Sequence, residues 1–226
     1  MAKKKITRKE LLKEEEFVTV SNRVFEYLSD HVKQVQYLSV AVLVIIATII
    51  GTSLYFRYIN KKALAEYNSA YKYFIASDGP VGEEGGNVDK AIDGFERLIE
   101  EYGWTKVATQ SIPQLAYLKF GQGKYDEAVS LYSAYLKKNK SDLKYHSLAR
   151  FGLAAAYEAK KDYQAAIMNL EVLTNDESNF LREEATFALG RVFALNGQEK
   201  KSEETYREFI VQFNESPLLP QVKAFL

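Results

Sequence analysis

Between Lys33 and Arg57 the chain runs for 23 residues, QVQYLSVAVLVIIATIIGTSLYF, without a charge, although 27% of its 226 residues are charged. At roughly 1.5 Å per helical residue such a stretch crosses the ~30 Å hydrocarbon layer of a bilayer. A cleaved secretory signal is a poor fit, since its apolar core is only about 7–15 residues long and ends at a small-residue site. This run ends instead in Leu54, Tyr55, Phe56 and Tyr58, the composition of an interfacial aromatic belt. A core helix of a soluble protein rarely goes so far without a charge. Residues 34–56 are therefore expected to form a transmembrane helix, with residues 1–33 on one side and a domain of residues 57–226 on the other.

Charge says little about partners and only part of what is needed about orientation. Lysine plus arginine equals aspartate plus glutamate at 30 each, so no field over the whole chain argues for nucleic acid. The tail up to Lys33 carries 8 basic and 6 acidic side chains. Arg57, Lys61, Lys62 and Lys72 make the other flank the more basic one near the run, so the lysine and arginine rule does not decide cleanly. Long domains translocate largely regardless of charge, which favours a cytoplasmic tail and an external domain. Within the tail, Phe17, Val20, Val24, Leu28, Val32 and Val35 fall on one helix face, and Glu14, Glu15 and Glu16 suit its first turn. That stripe suits a membrane surface or a partner helix. Lys3, Lys4, Lys5, Arg8 and Lys9 read as a lipid-contact tail. With no cysteine, there is no disulfide framework and no redox clue to the compartment.

Beyond the run the sequence repeats itself. Gly86-Asn87-Val88-Asp89-Lys90-Ala91-Ile92, Gly123-Lys124-Tyr125-Asp126-Glu127-Ala128-Val129, Lys161-Asp162-Tyr163-Gln164-Ala165-Ala166-Ile167 and Gly197-Gln198-Glu199-Lys200-Lys201-Ser202-Glu203 align without gaps at separations of 37, 38 and 36 residues. Leu115-Ala116, Leu153-Ala154 and Leu189-Gly190 precede three of these, and Phe95, Tyr132, Leu170 and Tyr206 follow. Small residues let two helix backbones approach, and a large one fills the gap to the next pair. Pairs of this kind cannot bury their faces alone, so they stack. The expectation is an all-α chain: one N-terminal transmembrane helix, then an α-solenoid of about four helix pairs, with strong pairs at 106–139, 143–175 and 180–213. The first pair is interrupted by Ser77-Asp78-Gly79-Pro80-Val81-Gly82-Glu83-Glu84-Gly85-Gly86, between a helix ending near Ala76 and one starting near Val88. Residues 217–226, with Pro217 opening a short helix and Leu218, Val222 and Phe225 at helical spacing, are expected to fold back as a cap against Phe209 and Phe213.

The leucine-small pair, the Gly-Lys-Tyr-Asp-Glu-Ala turn and the aromatic four residues on resemble the tetratricopeptide repeat. The full layout, with the junction Tyr55-Phe56-Arg57-Tyr58 followed by Ala65, Tyr67, Ala70 and Tyr71 in the next helix, resembles the YfgM-like ancillary subunits of the bacterial Sec translocon. That resemblance implies a single-pass inner-membrane protein whose repeat domain faces the periplasm and associates with the translocon and periplasmic folding factors.

Catalytic chemistry finds no foothold. His31 and His146 stand apart with no cysteine beside them, so no metal ligand set is expected. Gly121-Gln122-Gly123-Lys124 lacks the preceding strand and the following hydroxyl of a phosphate loop. Glu83 and Glu84 sit in a linker, and the many tyrosines fall mostly at packing positions. No catalytic residue, cofactor or metal is expected. Binding should instead use the concave face of the first helices, where Tyr117, Phe151, Glu158, Phe187 and Arg191 project away from the leucine-small edge and suit an extended or helical peptide. The expected role is a tethered interaction module for proteins. The alternative is a permanent structural subunit of a larger membrane complex, for which Ala41, Ala47, Gly51, Thr52 and Ser53 offer small positions for helix contact.

Overall fold

The computed structural model describes residues 22, 23, 25–77, 85–139 and 143–226, and everything regular in them is helical. Phe17, Val20 and Val24 of the expected stripe, the basic tail and most of the interrupting insertion lie outside these residues. Two units divide at Tyr58 and Ile59.

In the first unit the charge-free run belongs to helix α1, Val32–Ser77, which is long and apolar enough to cross a membrane. None of the apolar stretch is buried against protein. The Thr48 hydroxyl donates to the Val44 carbonyl (2.8 Å) and the Thr52 hydroxyl to the Thr48 carbonyl (2.8 Å). Both hydroxyls are thus satisfied inside their own helix, as a helix crossing hydrocarbon would need. The sequence reading placed Ala65 to Tyr71 in a separate helix after the aromatic junction, but α1 continues through it. Nothing between Thr52 and Ala76 breaks a helix: there is no glycine or proline there.

In the second unit the helices alternate back and forth: α2 Gly85–Tyr102, α3 Lys106–Gly121, α4 Tyr125–Lys138, α5 Leu143–Ala159, α6 Tyr163–Thr174, α7 Arg182–Leu195, α8 Glu199–Gln212 and α9 Leu219–Lys223. Helix α2 starts three residues earlier than its apolar pattern suggests. The last turns of α1 pair with α2, then α3 with α4, α5 with α6 and α7 with α8, while neighbouring pairs share continuous cores. Ala63 and Ala70 of α1 are buried with Ala91, Phe95 and Leu98 of α2 and with Leu115 and Leu118 of α3. Ala128, Tyr132 and Tyr135 of α4 are buried with Ala149 and Leu153 of α5. Ala166, Ile167 and Leu170 of α6 are buried with Ala185, Leu189 and Val192 of α7. A buried lysine joins three helices: Lys119 Nζ of α3 lies 2.7 Å from Glu96 of α2 and 3.0 Å from Glu127 of α4.

The turn inside each of the last three pairs is one motif used three times. Gly123, Lys161 and Gly197 adopt φ of 74°, 64° and 73°. Each following N–H reaches back across six residues to a helix carbonyl: Lys124 to Lys119 (3.0 Å), Asp162 to Tyr157 (2.9 Å) and Gln198 to Phe193 (2.9 Å). This is the Schellman closure, and its left-handed residue is normally glycine. Asp162 then caps α6, accepting from the Ala165 N–H at 3.2 Å.

Past α8, Val222 of α9 is fully buried with Tyr206 and Phe209, and Leu218, Leu219 and Phe213 pack around them. The expected cap is present, with one adjustment. Pro220, not Pro217, occupies its first turn, because Ser216 turns the chain first, its hydroxyl donating to Glu183 and accepting from the Leu218 N–H.

Lys161 is the one non-glycine in the repeated left-handed position, and a Cβ there is disfavoured by about 1 kcal/mol or somewhat more. Lys161→Gly is expected to raise stability by about 0.5–1 kcal/mol, with the entropy of a new glycine offsetting part of the gain. Urea unfolding of the two chains reads this directly, and a lower midpoint for the variant would remove turn strain from the account.

Candidate protein-interaction face

Helices α3, α5 and α7, with the end of α1, are the first members of their pairs, and their side chains opposite the leucine-small edge form one face. Two groups of residues stand on it.

The first group spans α1 and α3. Tyr67, Tyr71 and Phe74 recur at i, i+4 and i+7 and stack in series, with centroids 5.4 Å apart for Tyr67 and Tyr71 and 5.7 Å for Tyr71 and Phe74. Phe74 then meets Tyr117 of α3 edge-on at 5.9 Å. Tyr117 remains 48% exposed, so the ladder ends in an accessible ring, and Tyr71 and Tyr145 of α5 are exposed as well. Of this group only Tyr117 is among the residues that the sequence places on the binding face. Tyr67 and Tyr71 enter there only as residues that follow the junction, and Phe74 not at all. Their regular spacing along one helix was the available signal.

The second group spans α5, α7 and α8. Arg191 Nη2 donates to Glu158 Oε2 at 3.1 Å, with the Glu158 side chain only 18% exposed. Burial raises the Glu158 carboxyl above its ordinary pKa, and the Arg191 charge partly offsets this. Beside the pair, the Tyr206 ring of α8 lies over Gly190, where a Cβ would come within 2.6 Å of it. Burial pushes the Tyr206 phenol up to about 12. Phe187 packs against Tyr206 and Phe209 at 6.1 and 6.5 Å.

Of the five residues expected on this face, Glu158, Phe187 and Arg191 come together and Tyr117 belongs to the other group. Phe151 is half-buried against the core that α6 and α7 share, so its ring serves packing. Tyr206 and Phe225 were read from sequence as packing and capping residues only. Among the described residues no three histidine, aspartate or glutamate side chains gather to hold a metal.

The model of the tetratricopeptide repeat-like domain matches residues 32–223, most of the chain. This protein belongs to that family. The match takes in the charge-free run together with the repeats. No curated protein matches the sequence. Among solved structures, a putative kinesin light chain from Podosopora anserina with nearly identical TPR-like repeats is similar at 19% identity and TM-score 0.56, over 73% of this chain and 83% of that one. A tetratricopeptide repeat protein from Parabacteroides merdae is similar at 13% identity and TM-score 0.59, over 73% and 59%. At such identities the likeness is one of fold. Stacked helix pairs of this kind are protein-interaction modules that present one extended face.

The raised Glu158 carboxyl gives the second group a pH signature. The folded chain holds that proton more tightly than the unfolded chain, so acidification from the raised value down to about 4.5 adds stability from this group. Glu158→Gln lacks the increment. Its stability relative to the parent chain is expected to fall as pH drops from about 7 towards 4.5, measured as urea midpoints; a constant difference across that range would contradict the buried-carboxyl reading.

Proposed function

We propose that this chain is a membrane-tethered protein-interaction module, held by residues 34–56 and binding extended or helical protein segments on its first-helix face. The observation that carries the proposal is the pairing of two surfaces in one chain: an apolar run that no protein covers and a face that keeps Tyr71, Tyr117 and Tyr145 exposed. A water-soluble protein does not leave so long an apolar stretch uncovered. Exposed tyrosines supply large, rigid contact area at small entropic cost. The family model's coverage of both run and repeats supports treating them as one architecture. Following the resemblance to YfgM-like subunits, the membrane is the bacterial inner membrane, with the tail cytoplasmic, the repeats periplasmic, and the partners translocon subunits and periplasmic folding factors.

The alternative role, a permanent subunit braced inside a larger membrane complex, is favoured by Ala47 and Gly51, one small-xxx-small step on the run. Small residues at that spacing let a second helix approach closely. The two roles differ in exchange. A photo-crosslinker replacing Tyr117 is expected to capture partners that turn over in a chase. One replacing Gly51 is expected to capture a single lasting neighbour if the chain is a fixed subunit. A reporter active only in the cytoplasm, fused after Leu226, is expected to stay silent. Full reporter signal would overturn the periplasmic placement, and no Tyr117 crosslink under any condition would overturn the interaction face.

A further inference from the structure

Phe225 does more than a cap needs. The capping contact is made by Val222, fully buried in the cluster with Tyr206 and Phe209. Phe225 lies beyond the end of α9 and is 54% exposed. Its ring nevertheless stacks on Tyr206 at 5.2 Å and 16° and tilts over Phe187 at 6.3 Å and 60°. It therefore reaches past the cap onto the second group of the interaction face.

What it covers is unusual. Tyr206 is fully buried between Gly190 on one side and Phe225 on the other, yet its hydroxyl has no hydrogen-bond partner among the described residues. Buried hydroxyls are almost always bonded. A phenol donates readily, so what this one lacks is an acceptor. The Glu158 carboxylate nearby accepts from Arg191 and not from Tyr206.

We propose that Phe225 is an internal occupant of an aromatic subsite formed by Phe187 and Tyr206, displaced when a partner segment inserts an aromatic side chain there and offers a backbone carbonyl to the Tyr206 hydroxyl. This rests on the interaction reading above and adds to it a ligand chemistry and a restraint. The subsite selects a ring because its walls are rings: Phe187 and Tyr206 stack or tilt against an aromatic face, an attraction an aliphatic side chain forfeits. Phe225 can leave without the cap leaving, since α9 is anchored by Val222 and by the contact of Ser216 with Glu183. A tethered ring competes at an effective concentration on the order of millimolar, so its removal raises the apparent affinity of a rival ring.

The test uses the full chain in detergent micelles and two fluorescein-labelled probes, the peptide Gly-Gly-Phe-Gly-Gly and its counterpart with alanine at the centre, read by fluorescence anisotropy. Phe225→Ala is expected to bind the phenylalanine peptide at least tenfold tighter than the parent chain, and Phe225→Leu by a smaller factor. Neither variant should gain affinity for the alanine peptide. Adding Tyr206→Phe to Phe225→Ala keeps the ring and removes the donor, and should cost several-fold in affinity. Equal affinity of the parent and both Phe225 variants for the phenylalanine peptide, or equal gains for the two peptides, overturns the proposal. Loss of the peptide effect with Tyr117 crosslinking intact overturns this inference alone, whereas loss of both places the fault in the interaction reading itself.

Discussion

Consecutive helices in this chain can close on one another only where one of them withholds a side chain. A Cβ added to Gly152 would come within 2.5 Å of the Tyr132 ring, one on Gly190 within 2.6 Å of the Tyr206 ring, and one on Gly94 within 2.7 Å of the Ala70 Cβ. These approaches set the register of the stack, because each large residue has one place to go. Where the matching large residue is aliphatic, as at Leu170, the opposing helices make do with Ala154 and Ala185. The shared cores, the buried Lys119 between two glutamates and the repeated Schellman turns all depend on the spacing these contacts fix.

Tyr132 and Tyr206 hold the same place in their repeats but have different neighbours. Tyr132 meets Gly152 on α5, the first helix of the following pair, which closes over it. After Tyr206 there is no complete following pair among the described residues. Helix α9 packs on α8 where a next first helix would stand, yet it spans only Leu219–Lys223. Its buried Val222 covers part of the exposed edge and Phe225 covers the Tyr206 ring. An abbreviated helix can seal an apolar edge, but it brings few polar groups, and the Tyr206 hydroxyl is left without an acceptor.

Much of this was legible in the sequence because small and large residues recur at fixed offsets, and those offsets are packing constraints. Helix pairs and turn positions follow from them, and the cap follows from Leu218, Val222 and Phe225 at helical spacing. The left-handed Lys161 was less visible: the alignment puts it opposite Gly123 and Gly197, but only the backbone reveals that it shares their conformation. The candidate site was partly legible. Glu158 and Arg191, on neighbouring first helices, could be placed on one face by periodicity. Periodicity gives a direction and not an occupant, so it could not foresee that Phe151 would be taken up by the core of α6 and α7, or that Phe225 would settle on Phe187. The ladder from Tyr67 to Phe74 was hidden for another reason. Tyr67 and Tyr71 are legible only as residues that follow the junction, and one-dimensional spacing does not show that Phe74, one turn on, meets Tyr117.

The two groups on the face differ in what they would ask of a bound segment. Stacked tyrosines offer flat apolar area with hydroxyl edges and tolerate many sequences, since any side chain with a hydrophobic surface gains from them. The Glu158–Arg191 pair is partly desolvated and each charge already has the other as partner, so it adds little net attraction; its fixed dipole instead penalises segments that place the wrong charge beside it. A partner lying along the first helices would thus be held mainly at the tyrosine end and put into register at the charged end. That division suits the interaction module proposed above, if it meets many protein segments and must keep only some of them. Affinity at one end captures broadly, and discrimination at the other costs a correct ligand almost nothing.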